Sequence, residues 1–359
     1  MKKALAILLS VSMLLMCAAC GATPAESAAP AEKAPAEDKA PAEDKAPAEV
    51  LTIDFTVAST AAPGTPNYIL RERFCELVEE YSAGAIVVNH LADGSVVSSE
   101  RECAEAIQLG TIDMATISDM GIDSVIGGLG WAWLPYMITS YEEVDEYYTN
   151  GWINEELTRI MGERGIIKVG SYENDFRIMG NTKHAVNSLE DMRGLKVRVP
   201  EIAELLRFYE LAGALSVAIS STETLTALQQ GTIDGVDNTT INFQLLGLIS
   251  SLDYITPLNH MYSGGSIVAN PDFWNGLTNE QQEIVKAAAA QAGKEHFEMA
   301  RAESARLLSA DGEAEYGYEV GEVSPELDAA LREIAQQVWD EFSPNYDAAM
   351  MEKVMQTFG

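Results

Sequence analysis

Three polar segments punctuate the stretch between Phe176 and Phe243, and each places an arginine or a carboxamide where a strand or helix should end. They are FRIMGNTK with Arg177, GLKVRVPE with Arg198, and ALQQGTIDGVDN with Asn238. Such groups at element ends suit recognition of a small anion, because a guanidinium holds a carboxylate through two parallel hydrogen bonds that lysine cannot copy. Arg198 is the sharpest candidate. In LKVRVP, Leu195, Val197 and Val199 face one way, and Lys196 and Arg198 face the other. That puts Arg198 near the C-terminal end of its strand, where open α/β sheets bind ligands. A solvated surface arginine fits the same pattern, and the sequence leaves both readings open.

Other chemistries find little support. His90, His184, His260 and His296 are scattered, and there is no HExxH, no paired-cysteine spacing and no GxSxG elbow. Gly127, Gly128 and Gly130 lead into Trp131 and Trp133 instead of opening a helix, so they are expected to form an interlobe or surface loop and not a phosphate cradle. No metal or cofactor is expected. The formal charge of -32 argues against nucleic acid as a partner, since phosphate binding needs clustered Lys and Arg. Surface charge is screened within about 8 Å at physiological salt, so arginines inside a cleft can still dominate a local potential.

The elements that must position these groups begin after an N-terminal leader. Lys2 and Lys3, the apolar run Ala4 to Met16 and the small pair Ala18-Ala19 before Cys20 have the layout of an export signal over residues 1–20. A cysteine directly after small residues resembles the lipobox of bacterial lipoproteins, which implies lipidation at Cys20, although Cys17 stands where leucine is usual. A plain secretory signal is the other reading, and in both the protein leaves the cytoplasm. Residues 21–50 repeat a Pro-Ala-Glu unit and are expected to form a solvated, disordered tether.

From Leu51 onward strands and helices alternate, which predicts an α/β fold with largely parallel sheets. Strands are expected at 51–60, 85–91, 111–117, 166–171, 195–199, 215–219 and 266–269. Ser140-x-x-Glu143 and Thr278-x-x-Gln281 are capping boxes, and the second opens a helix through Leu307 of about 40 Å, long enough to brace two lobes. AIQLGTID (106–113) and ALQQGTID (227–234) share a helix end, a glycine suited to a left-handed cap and a strand start. This echo suggests two similar lobes, or only shared cap chemistry. Cys75 and Cys103 lie in separate helical patterns and are expected to be buried and unpaired, with a disulfide as the alternative.

GLKVRVPE, LAGALSVAI and ETLTALQQGTIDGVDN, together with LADGSVVSSERECAEAIQLGTIDMATIS and WLPYMITSYEEV, resemble the solute-binding proteins of tripartite ATP-independent periplasmic (TRAP) transporters, of the dicarboxylate-binding type. The likeness runs from LTIDFTVAST to the last helices. It implies a two-lobed, periplasmic-binding-protein-like fold in which each lobe is a mostly parallel sheet flanked by helices. Residues 51–174 and 264–307 would form one lobe, and 175–263 and 308–359 the other. It also implies a monomeric extracytoplasmic receptor, without enzymatic activity, that closes over a C4-dicarboxylate, sugar acid or similar organic acid and passes it to a membrane permease. Arg198 matches the family's main carboxylate-binding arginine, Arg177 the assisting one, and Asn238 a carboxylate contact. Glu100 and Ser118 match cleft positions of the first lobe, Asp237 and Ser221 those of the second. Some members have an aromatic residue where this chain has Ser221, which implies a roomier or more polar pocket.

Two other classes stay open. An anchored extracellular enzyme acting on organic acids would use Glu100 and Asp237 as its acid and base. A ligand-sensing receptor would share the site and differ in its partner.

Overall fold

A computed structural model describes residues 50–57, 64–91 and 96–359. The export signal, Cys20 and all but the last residue of the tether lie outside the described residues. The chain runs through β1 (Leu51–Val57), α1 (Pro66–Tyr81), β2 (Ile86–His90), α2 (Glu100–Leu109), β3 (Met114–Ser118) and α3 (Asp119–Ile126). A short helix, α4 (Tyr141–Glu143), passes into a π-helical turn and is followed by α5 (Trp152–Glu163) and the 15-residue strand β4 (Ile167–Asn181). Next come α6 (Leu189–Met192), β5 (Lys196–Val199), α7 (Ala203–Leu211), β6 (Leu215–Ala218), α8 (Ser221–Gln229), β7 (Gly235–Thr239) and α9 (Thr240–Leu245). Then follow β8 (Tyr254–Thr256), β9 (Tyr262–Ala269), α10 (Pro271–Gly276), α11 (Asn279–Leu307), α12 (Ala310–Tyr316), β10 (Glu319–Val320), α13 (Pro325–Phe342) and α14 (Ala348–Phe358).

The main strand order is β2-β1-β3-β9-β4-β7-β5-β6. At one end β1 runs parallel to β2 and β3, and at the other β5 runs parallel to β6 and β7. Between them β9 and β4 are antiparallel to their neighbours and to each other. The parallel character expected of the sheet therefore belongs to its outer strands, while the two central strands tie both halves together. β4 pairs with β9 as far as Phe176 and with β7 and β8 from Arg177 to Asn181, so one strand serves both halves.

The sequence echo is a structural one. Thr111 N–H bonds the Ala106 carbonyl and Gly110 N–H that of Ile107; Thr232 bonds Ala227 and Gly231 bonds Leu228 in the same way. Both glycines are left-handed, at φ 72° and 68°, as this helix-ending motif requires. The following aspartates repeat too: Asp113 accepts the Asp54 amide at 2.8 Å and Asp234 the Lys196 amide at 3.1 Å, each from the neighbouring parallel strand.

Helix α11 starts on the expected box: Thr278 Oγ1 accepts the Gln281 amide at 3.2 Å and Gln281 Oε1 accepts the Thr278 amide at 2.8 Å. Its 29 residues rise about 43 Å at 1.5 Å per residue. Val285, Ala288 and Ala292 join the core of the first half with Phe55, Phe74 and Leu77, whereas Leu307 joins Val236 and Ile255 in the second. Each large side chain buried in these layers contributes about 1.5–3 kcal/mol, so α11 fastens both halves. At the Ser140 box, Glu143 bonds the Thr139 amide at 2.7 Å, and the expected helix continues as π-helix. The glycine cluster follows α3, where Arg164 Nη1 donates to the Ile126 carbonyl at 2.8 Å and so caps the helix end. Cys103 is buried, Cys75 partly so, and both are free thiols. No described helix is long and apolar enough to cross a membrane.

Candidate functional site

A cavity of about 250 Å³ takes its walls from both halves. Asn67 and Arg71 of α1, Glu100 of α2, Ser118 of β3 and Met120 of α3 line one side. Arg198 of β5, Ile202, Ser221 of α8, Asn238 of β7 and Asn242 of α9 line the other, with Tyr172, Asn174 and Arg177 of β4 between them. Six of the seven ligand-binding residues expected from sequence therefore meet at one cavity. Asp237 does not line it.

Arg198 is 3% exposed, so the solvated-arginine reading is set aside. Its Nε donates to the Ile219 carbonyl at 2.8 Å, and it forms no ion pair among the described residues. Burial, and then the nearby charge of Arg177, lower its pKa to about 10. It stays charged at neutral pH. A buried charge without a counter-charge is costly, and an anion entering the cavity relieves that cost.

Arg177 differs. It and Asp237 are diagonal neighbours on one face of the β4–β7 ladder, where Arg177 opposes Thr239 and Met179 opposes Asp237. Arg177 Nε donates to Asp237 Oδ1 at 2.5 Å and Nη2 to the Asp237 carbonyl at 3.0 Å. Asp237 is fully buried; Tyr209 Oη donates to its Oδ2 at 2.8 Å, and His260 Nε2 lies 3.0 Å from the same oxygen. Burial pushes the carboxyl up, but Arg177, His260 and Tyr209 outweigh it and hold the pKa at about 2. The expected cleft residue Asp237 is thus the counter-ion of Arg177, held off the cavity by Tyr209 and His260, while Asn238 lines the cavity.

The amides have fixed directions. Asn238 Oδ1 accepts the Thr239 amide at 2.9 Å and the Asn242 amide at 3.3 Å, which leaves the Asn238 NH2 as donor. Asn242 also donates to Asn174 at 2.9 Å, and Asn174 donates to Ser263 at 2.8 Å. His296 Nδ1 accepts the Glu173 amide at 3.2 Å, and burial lowers its pKa to about 3. Its Nε2 therefore carries the proton and donates to Asn67 Oδ1 at 2.9 Å, leaving the Asn67 NH2 as the uncommitted end. Burial raises the Tyr172 phenol, which stays protonated.

Glu100 opens α2, and its carboxylate accepts the Ser118 amide at 2.9 Å and the Ser118 hydroxyl at 2.8 Å. Ser118 Oγ in turn accepts the Gly121 amide at 3.0 Å and caps α3. These two residues both line the cavity and fix the junction of three elements. Ser221, at the start of α8, leaves its part of the wall small and polar.

Arg71, Asn67, Tyr172, Asn174 and Asn242 were not singled out from the sequence. Arg71 carried a signal: it stands three residues before Phe74 and seven before Val78, on the buried stripe of α1, and is 2% exposed. The polar run Glu173-Asn174-Asp175 inside a buried strand was another. Among the described residues no group of three or more His, Cys, Asp or Glu could hold a metal ion.

A family model described as bacterial extracellular solute-binding protein, family 7, matches residues 57–345. YiiZ of Salmonella typhimurium is 31% identical over 59% of this chain and 64% of its own length, and y4mM of Sinorhizobium fredii is 26% identical over 72% and 46%. The chain thus spans less than two thirds of either relative. The C4-dicarboxylate-binding periplasmic protein DctP of Rhodobacter capsulatus is 27% identical over 85% of this chain and 90% of its own. A TRAP periplasmic solute binding protein from Ochrobactrum anthropi matches in structure with a TM-score of 0.75 and 27% identity, over 86% of this chain and 95% of that one. Another, from Shewanella oneidensis with bound succinate, shares the fold with a TM-score of 0.78 at 21% identity, over 86% and 100%. By the extent of the family match, from β1 to the last turns before α14, the chain belongs to the bacterial extracellular solute-binding proteins of family 7.

Proposed function

We propose that the chain captures a small organic acid in the cavity between its two halves and delivers it to the membrane permease of a TRAP transporter. The observation that carries this reading is Arg198: buried, charged, without an ion pair among the described residues, and lining a cavity rich in amide donors. A carboxylate there takes two charge-assisted hydrogen bonds, each contributing about 1.5–3 kcal/mol. The Rhodobacter protein is a C4-dicarboxylate-binding protein and the Shewanella structure holds succinate, which supports an organic acid as ligand.

In this reading residues 51–174 with 264–307 and residues 175–263 with 308–359 are lobes that close on the ligand, since a ligand touching both walls favours the closed state. The lobe boundary falls in β4, where pairing with β9 is irregular between Glu173 and Phe176 and Asp175 has φ 79°. The protein acts as a monomer on the outer face of the membrane, held by lipid on Cys20, and it makes and breaks no bond.

A thermal-shift screen of organic acids on the wild-type protein and on Arg198→Ala tests the core of this. One class of acid should raise the melting temperature of the wild type only, because a ligand stabilises the state that binds it. A panel without a stabilising acid, or an equal shift in the variant, would overturn it.

A further inference from the structure

Among the described residues at the cavity the cationic groups are already committed, with one exception. Arg177 is taken by Asp237, which Tyr209 and His260 hold from behind. Arg101 pairs with Glu105 at 3.2 Å and donates to the Ser124 carbonyl at 2.7 Å. Arg71 is partnered within the chain and lies 5.4 Å from the ring centroid of Tyr68. That leaves Arg198. The cavity walls also carry Glu100 and Glu201. A second ligand carboxylate would lose its hydration in a cavity that has two wall carboxylates and, among the described residues, no uncommitted counter-charge, an unfavourable exchange. Hydroxyl groups meet the opposite situation. Asn67, Asn238 and Tyr172 offer uncharged donors, and Glu100 offers acceptor lone pairs that remain after its two bonds to Ser118.

We infer that the site selects a monoanion: a hydroxylated monocarboxylic acid, its single carboxylate on Arg198 and its hydroxyls on Asn67, Asn238 and Glu100, in preference to any dicarboxylate. This rests on the reading of the cavity as an organic-acid site and narrows it. Asp237 is the residue that sets the selectivity, because it cancels the second arginine.

The test is calorimetry on the full-length protein in detergent with acids that differ only in one end group, CH2OH or carboxylate. Suitable pairs are glycerate with tartronate, D-erythronate with meso-tartrate, and D-gluconate with D-glucarate, and any acid found by thermal shift is added with its counterpart. The monocarboxylate of the best-bound pair should bind at least about tenfold tighter, the equivalent of about 1.4 kcal/mol. Equal or tighter binding of the dicarboxylate, still lost in Arg198→Ala, overturns the monoanion inference and leaves the organic-acid reading standing. Dicarboxylate binding lost in Arg71→Gln overturns it as well, and marks Arg71 as the second carboxylate's partner. Failure of every acid, with Arg198→Ala indistinguishable from wild type, overturns both.

Discussion

Arg198 Nε donates to the Ile219 carbonyl at 2.8 Å, and this bond to the residue just after β6 fixes the plane of the guanidinium. Its terminal nitrogens keep the fork that a carboxylate needs. Removing the side chain in Arg198→Ala should weaken binding of the ligand at least about tenfold, since more than one charge-assisted bond is lost. Arg198→Lys restores charge but cannot bond Ile219 and grip two oxygens together, so it should stay about tenfold weaker than wild type. Isothermal titration of both variants checks this, and a fully active lysine variant would show that charge alone suffices.

Asp237 is expected to matter for stability as well as for charge. In Asp237→Asn the buried Arg177 loses its counter-charge, and leaving one partner of a buried pair destabilises by about 3–5 kcal/mol. Removing both charges while keeping an oxygen for Tyr209 and His260, in Arg177→Met with Asp237→Asn, should be less damaging than the single change. Urea denaturation of the two variants would settle the order; equal stability of Asp237→Asn and wild type would remove the ion pair from the account.

Much of this architecture was legible in the sequence because it is written locally. The Ser140 cap, the box at Thr278 and the paired glycines 110 and 231 are caps whose chemistry acts within one turn. Strand parity set Arg198 apart from Val197 and Val199 and left open whether it was solvated; the fold shows it buried. In DGVDN, Asn238 lines the cavity and Asp237 does not; the expectation that both face the cleft came from the resemblance. What local pattern does not carry is β9, expected only from Ser266. Gly264 and Gly265 weaken its strand signal, yet a Cβ at either would fall on the rings of Tyr148 and Tyr172, so the glycines are there for close approach. Asn67 was hidden for a similar reason, since its direction is set by His296 from a helix 229 residues away.

The contribution of Glu173 to stability should fall as pH rises from about 4.5 to about 7. That of Asp123, which burial raises to about 6, falls with it, whereas His296, lowered by burial to about 3, acts in the opposite sense up to its unfolded value of 6.5. Glu173 is buried where β4 passes from one half to the other; burial and then the charge of Asp175 raise its pKa to about 7, against the pull of Arg301 and Tyr262. Asp175 is raised too, mainly by burial. A raised acid binds its proton more tightly in the folded state, so its contribution is complete below the unfolded value of 4.5 and is lost through the folded value. Asp237, held at about 2, acts in the opposite sense and only below its unfolded value of 3.8. Urea midpoints between pH 4.5 and 8 should therefore fall more, or rise less, with pH in the wild type than in Glu173→Gln. A slope unchanged by that substitution would assign the effect to another group.

Two glycines in helices should respond to alanine with opposite signs. In an exposed helix interior, glycine to alanine stabilises by about 0.5–1 kcal/mol, because alanine has less freedom to lose. Gly162, near the end of α5, has open space where a Cβ would go, and Gly162→Ala should gain up to that amount. Gly293 in α11 has none. A methyl group there would fall on the carbonyl oxygen of Ser171 in β4, a backbone atom that cannot rotate away. Gly293→Ala must therefore push the long helix off the strand shared by both halves, and overpacking of this kind costs about 1–3 kcal/mol, more than the helix propensity returns. The loss should appear in thermal denaturation and be accompanied by weaker ligand binding, because Tyr172 and Asn174, which line the cavity, stand one and three residues after Ser171. Stabilisation by Gly293→Ala would mean that α11 and β4 are not in contact at this point.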